Sequence, residues 1–206
     1  MNKPLLSLLL LMAGFAAEAQ KQNDVTTPLH AMQPDYPVPY VIPAKADVKK
    51  VLDRIHNYLD TVTPPVMINK KTGAVLTDAA QLDTNSAVKQ GDFRLTSYEW
   101  GVTYAAMLRA AETTGDTRYT TYVKDRFDFL KKWVPAVKAK FPEEYIRTQR
   151  FLHQPIYPHA LDDAGAVCAA MIKAQRAGLN EGLRPQIDHF INYILKNEYR
   201  LKDGTL

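Results

Sequence analysis

Gly115 and Gly178 each cut a stretch of strong 3.6-residue apolar periodicity, and each is followed by a second stretch of the same kind. A chain punctuated this way is constrained to fold as helical hairpins, because glycine takes the left-handed conformation that closes a helix without a steric cost. Before Gly115, the residues Trp100, Tyr104, Met107, Leu108 and Ala111 share one helical face. After it, Asp116 is placed to cap a helix that carries Tyr119, Tyr122, Val123, Phe127, Leu130, Val134 and Val137 on a broad stripe. The second hairpin joins residues 163–177, with Ala164, Val167, Cys168, Met171 and Ile172 inward, to a helix from about Arg184 to Asn197 that turns Ile187, Phe190, Ile191, Ile194 and Leu195 inward. Strand patterns are slight, so the class is all-α. Hairpins that recur at intervals of roughly 60 residues are the sequence signature of helical toroids and solenoids.

The N-terminal part carries different information. Residues 1–19 combine Lys3, an apolar stretch from Leu5 to Ala17 and an A-x-A site at Ala17 and Ala19, the pattern of a cleavable signal peptide. That predicts export to the periplasm or beyond, and no segment has the length of apolar sequence that a membrane span needs. Residues 20–43 hold Pro28, Pro34, Pro37, Pro39 and Pro43 and read as an extended lead-in. The helical domain is expected from residue 44. Its first helix places Val48, Val51, Leu52, Ile55, Leu59 and Val62 at helical spacing and stops at Pro64-Pro65. Residues 66–94 form a polar connection with Gly73 and Gly91, long enough to be expected over a functional site.

The formal charge of +4 comes from 26 basic and 22 acidic residues scattered along the chain, not gathered in blocks, which argues against a nucleic-acid partner. The one cysteine, Cys168, lies in an apolar run and reads as a small buried hydrophobe.

The densest polar cluster is His153, His159, Asp162 and Asp163, in a loop fixed by prolines and rich in aromatics. Two readings compete for the aspartates. One is structural: a carboxylate at a helix start accepts from orphan backbone donors and favours the positive end of the helix dipole. The other is chemical: carboxylates at a ligand-facing helix start suit sugar hydroxyls and proton transfer, and Ala164, Gly165 and Ala166 let another surface approach. The histidines are six apart across two prolines, which fits no standard metal-ligand spacing, so neither metal nor other cofactor is expected. A second cluster, Ser97-Tyr98-Glu99-Trp100-Gly101, supplies the aromatic and hydroxyl-binding groups of a carbohydrate site, or the head of a core stripe. Nucleophile-elbow, phosphate-loop, dinucleotide and zinc-protease motifs are all missing from the sequence.

Four segments then occur in order: Tyr98-Glu-Trp-Gly101, Ala111-Glu-Thr-Thr-Gly-Asp-Thr-Arg-Tyr119, Leu161-Asp-Asp-Ala-Gly165 and Glu198-Tyr-Arg-Leu-Lys-Asp-Gly204. Together they resemble the unsaturated rhamnogalacturonyl hydrolases and the related unsaturated glucuronyl hydrolases, glycoside hydrolase families 105 and 88. The resemblance spans roughly residues 92–206. It implies an (α/α)6 toroid of about twelve helices, of which this chain carries about five as a partial toroid built of helical hairpins. It also implies a substrate: an oligosaccharide with a 4,5-unsaturated uronic acid at its nonreducing end. The reaction it implies is hydration of the enol ether, with an aspartic acid protonating C4, water adding at C5 and the hemiketal opening to release the next sugar.

Two aspartates recur in these families. The earlier matches Leu161-Asp162-Asp163, with Asp162 favoured and Asp163 the alternative register; the later, the principal proton donor, is expected after Leu206. The resemblance further implies that Tyr98, Trp100 and His159 contact the sugar. On these expectations the chain is the N-terminal part of a pectin-degrading glycosidase and is inactive alone. The alternative is a noncatalytic periplasmic helical-repeat protein that binds carbohydrate, and a third possibility is a sugar epimerase or lyase on the same toroid.

Overall fold

The structure is a computed structural model, and it describes residues 42–149, 151–179 and 181–206. The expected signal peptide over 1–19 and the lead-in up to residue 41 lie outside the described residues. Helix α1 (Lys45–Val62) ends where Pro64-Pro65 forbids continuation. A short antiparallel pair follows, β1 (Met67–Asn69) with β2 (Ser86–Val88), in register Met67 to Val88 and Asn69 to Ser86. Then come α2 (Tyr98–Thr114), α3 (Thr117–Lys140), α4 (Glu143–Gln149), α5 (His153–Ile156), α6 (Leu161–Arg176) and α7 (Arg184–Asn192), which runs into a π-helical turn over Tyr193–Asn197. The class is all-α, as the periodicity requires.

Both glycine turns have the expected geometry. Gly115 sits at φ 73° and Gly178 at φ 70°, and the Asp116 carboxylate accepts from the Arg118 N–H to open α3. The two hairpins do not lie side by side as independent pairs, however: the broadest helix–helix contact is between α2 and α6. Gly101 makes it possible. A Cβ there would stand 2.3 Å from the Ala166 carbonyl carbon and 2.5 Å from the Val167 nitrogen, so only glycine admits this approach. The small residues after Asp163 thus receive a helix, which is one of the two uses the sequence left open for them. Around this contact the core gathers Tyr104, Leu108, Phe127, Leu130, Val167, Met171 and Phe190, all buried. Cys168 is buried among them, and burial pushes its thiol up, away from the reactive thiolate.

Helix α1 departs from its expected orientation. Val48, Val51 and Ile55 are each more than 40% exposed, and the buried residue is His56, whose ring meets Tyr119 edge-on at 5.3 Å. The reason is polar. Lys49 and Asp53 on the inward side join Asp116 and Arg118 of the next hairpin, with Lys49 Nζ 2.9 Å from both carboxylates and Arg118 Nη2 at 2.6 and 2.7 Å from Asp53 and Asp116. At the other end of α1, Arg126, 1% exposed, donates to the Thr63 carbonyl (2.9 Å) and the Asp60 carboxylate (3.1 Å) while its guanidinium lies 3.5 Å from the Tyr122 ring centre. A cation thus satisfies carbonyls that a helix C-terminus leaves without partners.

The connection over 66–94 contains structure that polarity alone concealed. The β-pair is anchored by buried Met67, Leu76 and Leu82, and Tyr145 Oη reaches across to donate to the Thr84 carbonyl at 2.9 Å. The loop between the hairpins likewise condenses into α4 and α5.

Two expected outcomes follow. Gly101→Ala gains about 1 kcal/mol of helix propensity, but overpacking against backbone costs about 1–3 kcal/mol; the melting temperature should fall, by about 2–4 °C per net kcal/mol, and an unchanged or raised value in a thermal melt would contradict the contact. The Arg118 guanidinium and then the Lys49 ammonium hold the Asp116 carboxyl well below the usual carboxylate range. Its contribution is therefore present above about pH 4 and lost as pH falls further, so Asp116→Asn should shrink the drop in melting temperature between about pH 5 and about pH 3.

Candidate active site

A cleft of about 860 Å³ opens between the β2–α2 connection and the segment running from α4 to the start of α6. The first wall presents Lys89, Gly91, Asp92, Arg94 and Ser97; the second presents Arg147, Gln149, Leu152, His153, Gln154, His159 and Asp163; Thr63 and Pro64 complete the lining. Its volume lies near the upper end of ordinary ligand pockets, enough for more than one sugar ring.

Each wall is held by backbone. Gly91 crosses the end of α1 so closely that a Cβ would meet the Val62 carbonyl oxygen at 2.1 Å. The next residue locks the crossing, since the Asp92 N–H donates to that same carbonyl at 2.9 Å and Tyr58 Oη donates to the Asp92 carboxylate at 3.1 Å. On the opposite wall Leu152 is buried and left-handed at φ 51°, a conformation that a side chain other than glycine holds only where its surroundings over-determine it. Gln154 ties the next turn: its amide donates to the Ala160 carbonyl at 3.3 Å and accepts the His159 N–H at 3.4 Å.

The two aspartates separate. Asp163 lines the cleft, and its Oδ1 accepts the Tyr98 N–H at 2.8 Å. That donor is the first N–H of α2, whose preceding Ser97 makes no side-chain cap of its own. Asp163 therefore caps the neighbouring helix instead of its own while lining the cleft. Asp162 is exposed, lies outside the lining and accepts the Asp163 N–H at 2.8 Å. Asp163, the alternative register, is the aspartate in the cleft lining, where the first N–H of α2 holds its carboxylate.

Of the expected sugar contacts, His159 is on the cleft wall and exposed, with its ring 4.7 Å from that of His153. Tyr98 contributes its backbone donor at the rim, and its exposed ring is not part of the lining. Trp100 is 5% exposed, stacks on Phe93 at 4.7 Å and donates from Nε1 to Tyr122 Oη at 3.1 Å. It belongs to the core, and Phe93, stacked on it, is the aromatic that reaches the cleft. His153, part of the polar cluster marked in the sequence, is also in the lining, whereas Arg94, Arg147 and Gln154 carry no sequence signal beyond the prolines near Gln154. Among the described residues, no group of three or more His, Cys, Asp or Glu side chains converges as metal ligands would, and no helix is long and apolar enough to cross a membrane.

A cavity walled by a hairpin helix start, with the carboxylates of Asp92 and Asp163 beside basic and imidazole groups, has polar partners suited to a carbohydrate. The family model for Glycosyl Hydrolase Family 88 matches residues 59–206, from the last turns of α1 through both walls of the cleft to Leu206. The chain belongs to glycosyl hydrolase family 88, and its activity class is that of a glycoside hydrolase acting on unsaturated uronyl substrates. The search of curated proteins returned no match.

Because Asp163 serves as a helix cap, Asp163→Ala should cost about 1 kcal/mol, within the usual range for removing a cap. Asp163→Asn retains an acceptor oxygen for the Tyr98 N–H and should melt close to the parent protein. Calorimetry showing equal losses for both variants would refute the capping role.

Proposed function

We propose that the protein hydrolyses pectic oligosaccharides of rhamnogalacturonan type that end in a 4,5-unsaturated galacturonyl unit, in the manner of the family 105 enzymes, and that it does so after export to the periplasm or outside the cell. The observation that carries this reading is the position of Asp163, a carboxylate on the cleft wall fixed by a backbone donor from a second helix. Such a group is aimed without help from other side chains, so substrate arrives at a preset acceptor.

The reaction is hydration. A proton is delivered to C4 of the enol ether, water adds at C5, and the hemiketal opens to release the neighbouring sugar. In this division of labour Asp163 supports, orienting a sugar hydroxyl or the attacking water, and a second aspartate protonates C4. His159 lies on the same wall and offers a hydrogen-bonding ring to the sugar. General acid–base chemistry of this kind is worth about 10²–10⁴ in rate per positioned group. The separation rule for paired glycosidase carboxylates does not apply, since the anomeric carbon is not attacked.

The full-length gene product is expected to consume unsaturated rhamnogalacturonan disaccharide, read as loss of the ultraviolet absorbance of the conjugated carboxylate. Asp163→Asn should lower kcat/KM by about 10²-fold or more, and Asp162→Asn should change it by no more than a few-fold. A product that leaves the disaccharide untouched, or that tolerates Asp163→Asn, would overturn the reading.

A further inference from the structure

His153 and His159 face each other across the turn between α5 and α6, with ring centres 4.7 Å apart and planes inclined at 46°. Both rings line the cleft, as does Arg147 of α4. The pair is positioned by a left-handed Leu152, buried in the core immediately before His153, and by a buried Gln154 that bonds the His159 N–H and the Ala160 carbonyl. His159 Nδ1 lies 3.2 Å from the Tyr157 carbonyl oxygen, which can only accept. The Nδ1 atom therefore carries a proton, and Nε2 is the atom offered to a ligand.

We propose that His153 and His159 together read the carboxylate of the uronyl substrate, the pair taking up one proton as the acidic sugar binds. This rests on the glycosidase reading above and adds to it the residues that recognise the acid group. The electrostatics of the empty cleft set the direction. Burial first, then the neighbouring His159 and Arg147, hold the His153 imidazole below its ordinary range, and only Glu143 opposes them. Glu143 is itself engaged, 2.5 Å from Arg147 Nη2. Two imidazoles this close, beside a guanidinium, disfavour positive charge on the pair, and an anion docking at their outer edge relieves it. The remaining charged groups of the lining are Lys89, Asp92, Arg94 and Asp163, and Lys138 stands beside the same turn, its Nζ 5.9 Å from the Tyr157 ring centre. A uronate stays ionised across the ordinary histidine range, so a change in binding with pH reports the histidines.

The sign follows by linkage. A proton bound only in the complex makes affinity rise as pH falls through the ordinary histidine range, approaching about tenfold per pH unit for one full proton. The test is titration calorimetry of the chain carrying Asp163→Asn, which slows turnover about 10²-fold or more, with unsaturated galacturonyl disaccharide and with its methyl ester, in two buffers of different ionisation enthalpy. The acid is expected to bind with uptake of close to one proton and to tighten about tenfold between about pH 7.5 and about pH 6; the ester should bind more weakly, with no uptake. Adding His153→Phe, which keeps a ring against His159, or His153→Gln should abolish the uptake and with it the preference for the acid over the ester, with circular dichroism confirming the fold. Acid that binds without proton uptake, or uptake that survives both His153 variants, overturns the proposal and leaves the glycosidase reading standing. Failure of both sugars to bind overturns both.

Discussion

The approach of α2 to α6 at Gly101 is the contact on which the site depends. Helices normally keep 8–10 Å between axes because side chains intervene; here backbone meets backbone, with no space for a single methyl group. That proximity brings the first N–H of α2 within 2.8 Å of Asp163. It also explains why the Tyr98–Gly101 and Leu161–Gly165 segments, separated by about 60 residues, belong together: one supplies the glycine and the donor, the other the small-residue surface and the acceptor. Fold and site share one hydrogen bond and one steric gap.

A second layer of constraint runs through Arg126. Its guanidinium covers the end of α1, packs on Tyr122 and shares Thr63 with the cleft lining. Tyr122 Oη in turn accepts from Trp100 and lies 3.0 Å from Thr63 Oγ1. A chain of polar contacts therefore passes from the core of the first hairpin to the floor under the cleft, and each member is satisfied. Buried polar groups arranged this way fix a single packing, since any slip strands a donor or a cation without a partner.

Most of the helical framework was legible in the sequence because its signals are local: the stripes from Trp100 to Ala111 and from Tyr119 to Val137, the glycine turns, and the Asp116 cap. The cleft was legible only in part. Asp163 and His159 stood out by residue type, yet which aspartate faces inward depends on a donor from residue 98, a distance no periodicity reports. Trp100 was ambiguous for the same reason, being both a plausible sugar platform and the head of a stripe, and the partner Tyr122 decides it. The spacing on α1 holds, with Leu52 and Leu59 packed on the core, but Lys49 and Asp53 pair with charges in another hairpin, and that pairing, which no local pattern reports, leaves Val48, Val51 and Ile55 exposed. Three-residue strands such as Met67–Asn69 carry too few alternations to be seen at all.

Gly91 gives the cleft an asymmetry of another kind. Where a wall is built from side chains, its position drifts as residues are exchanged, and the width of the cavity drifts with it. Here the β2–α2 wall rests main chain on main chain against the end of α1, so its distance from the helix is set by atoms that every sequence shares. Divergence in the length or decoration of the sugar accepted must then be written on the facing wall, in the residues from Arg147 to His159. One side of the cavity behaves as a ruler, and the other as the part that is free to be recut.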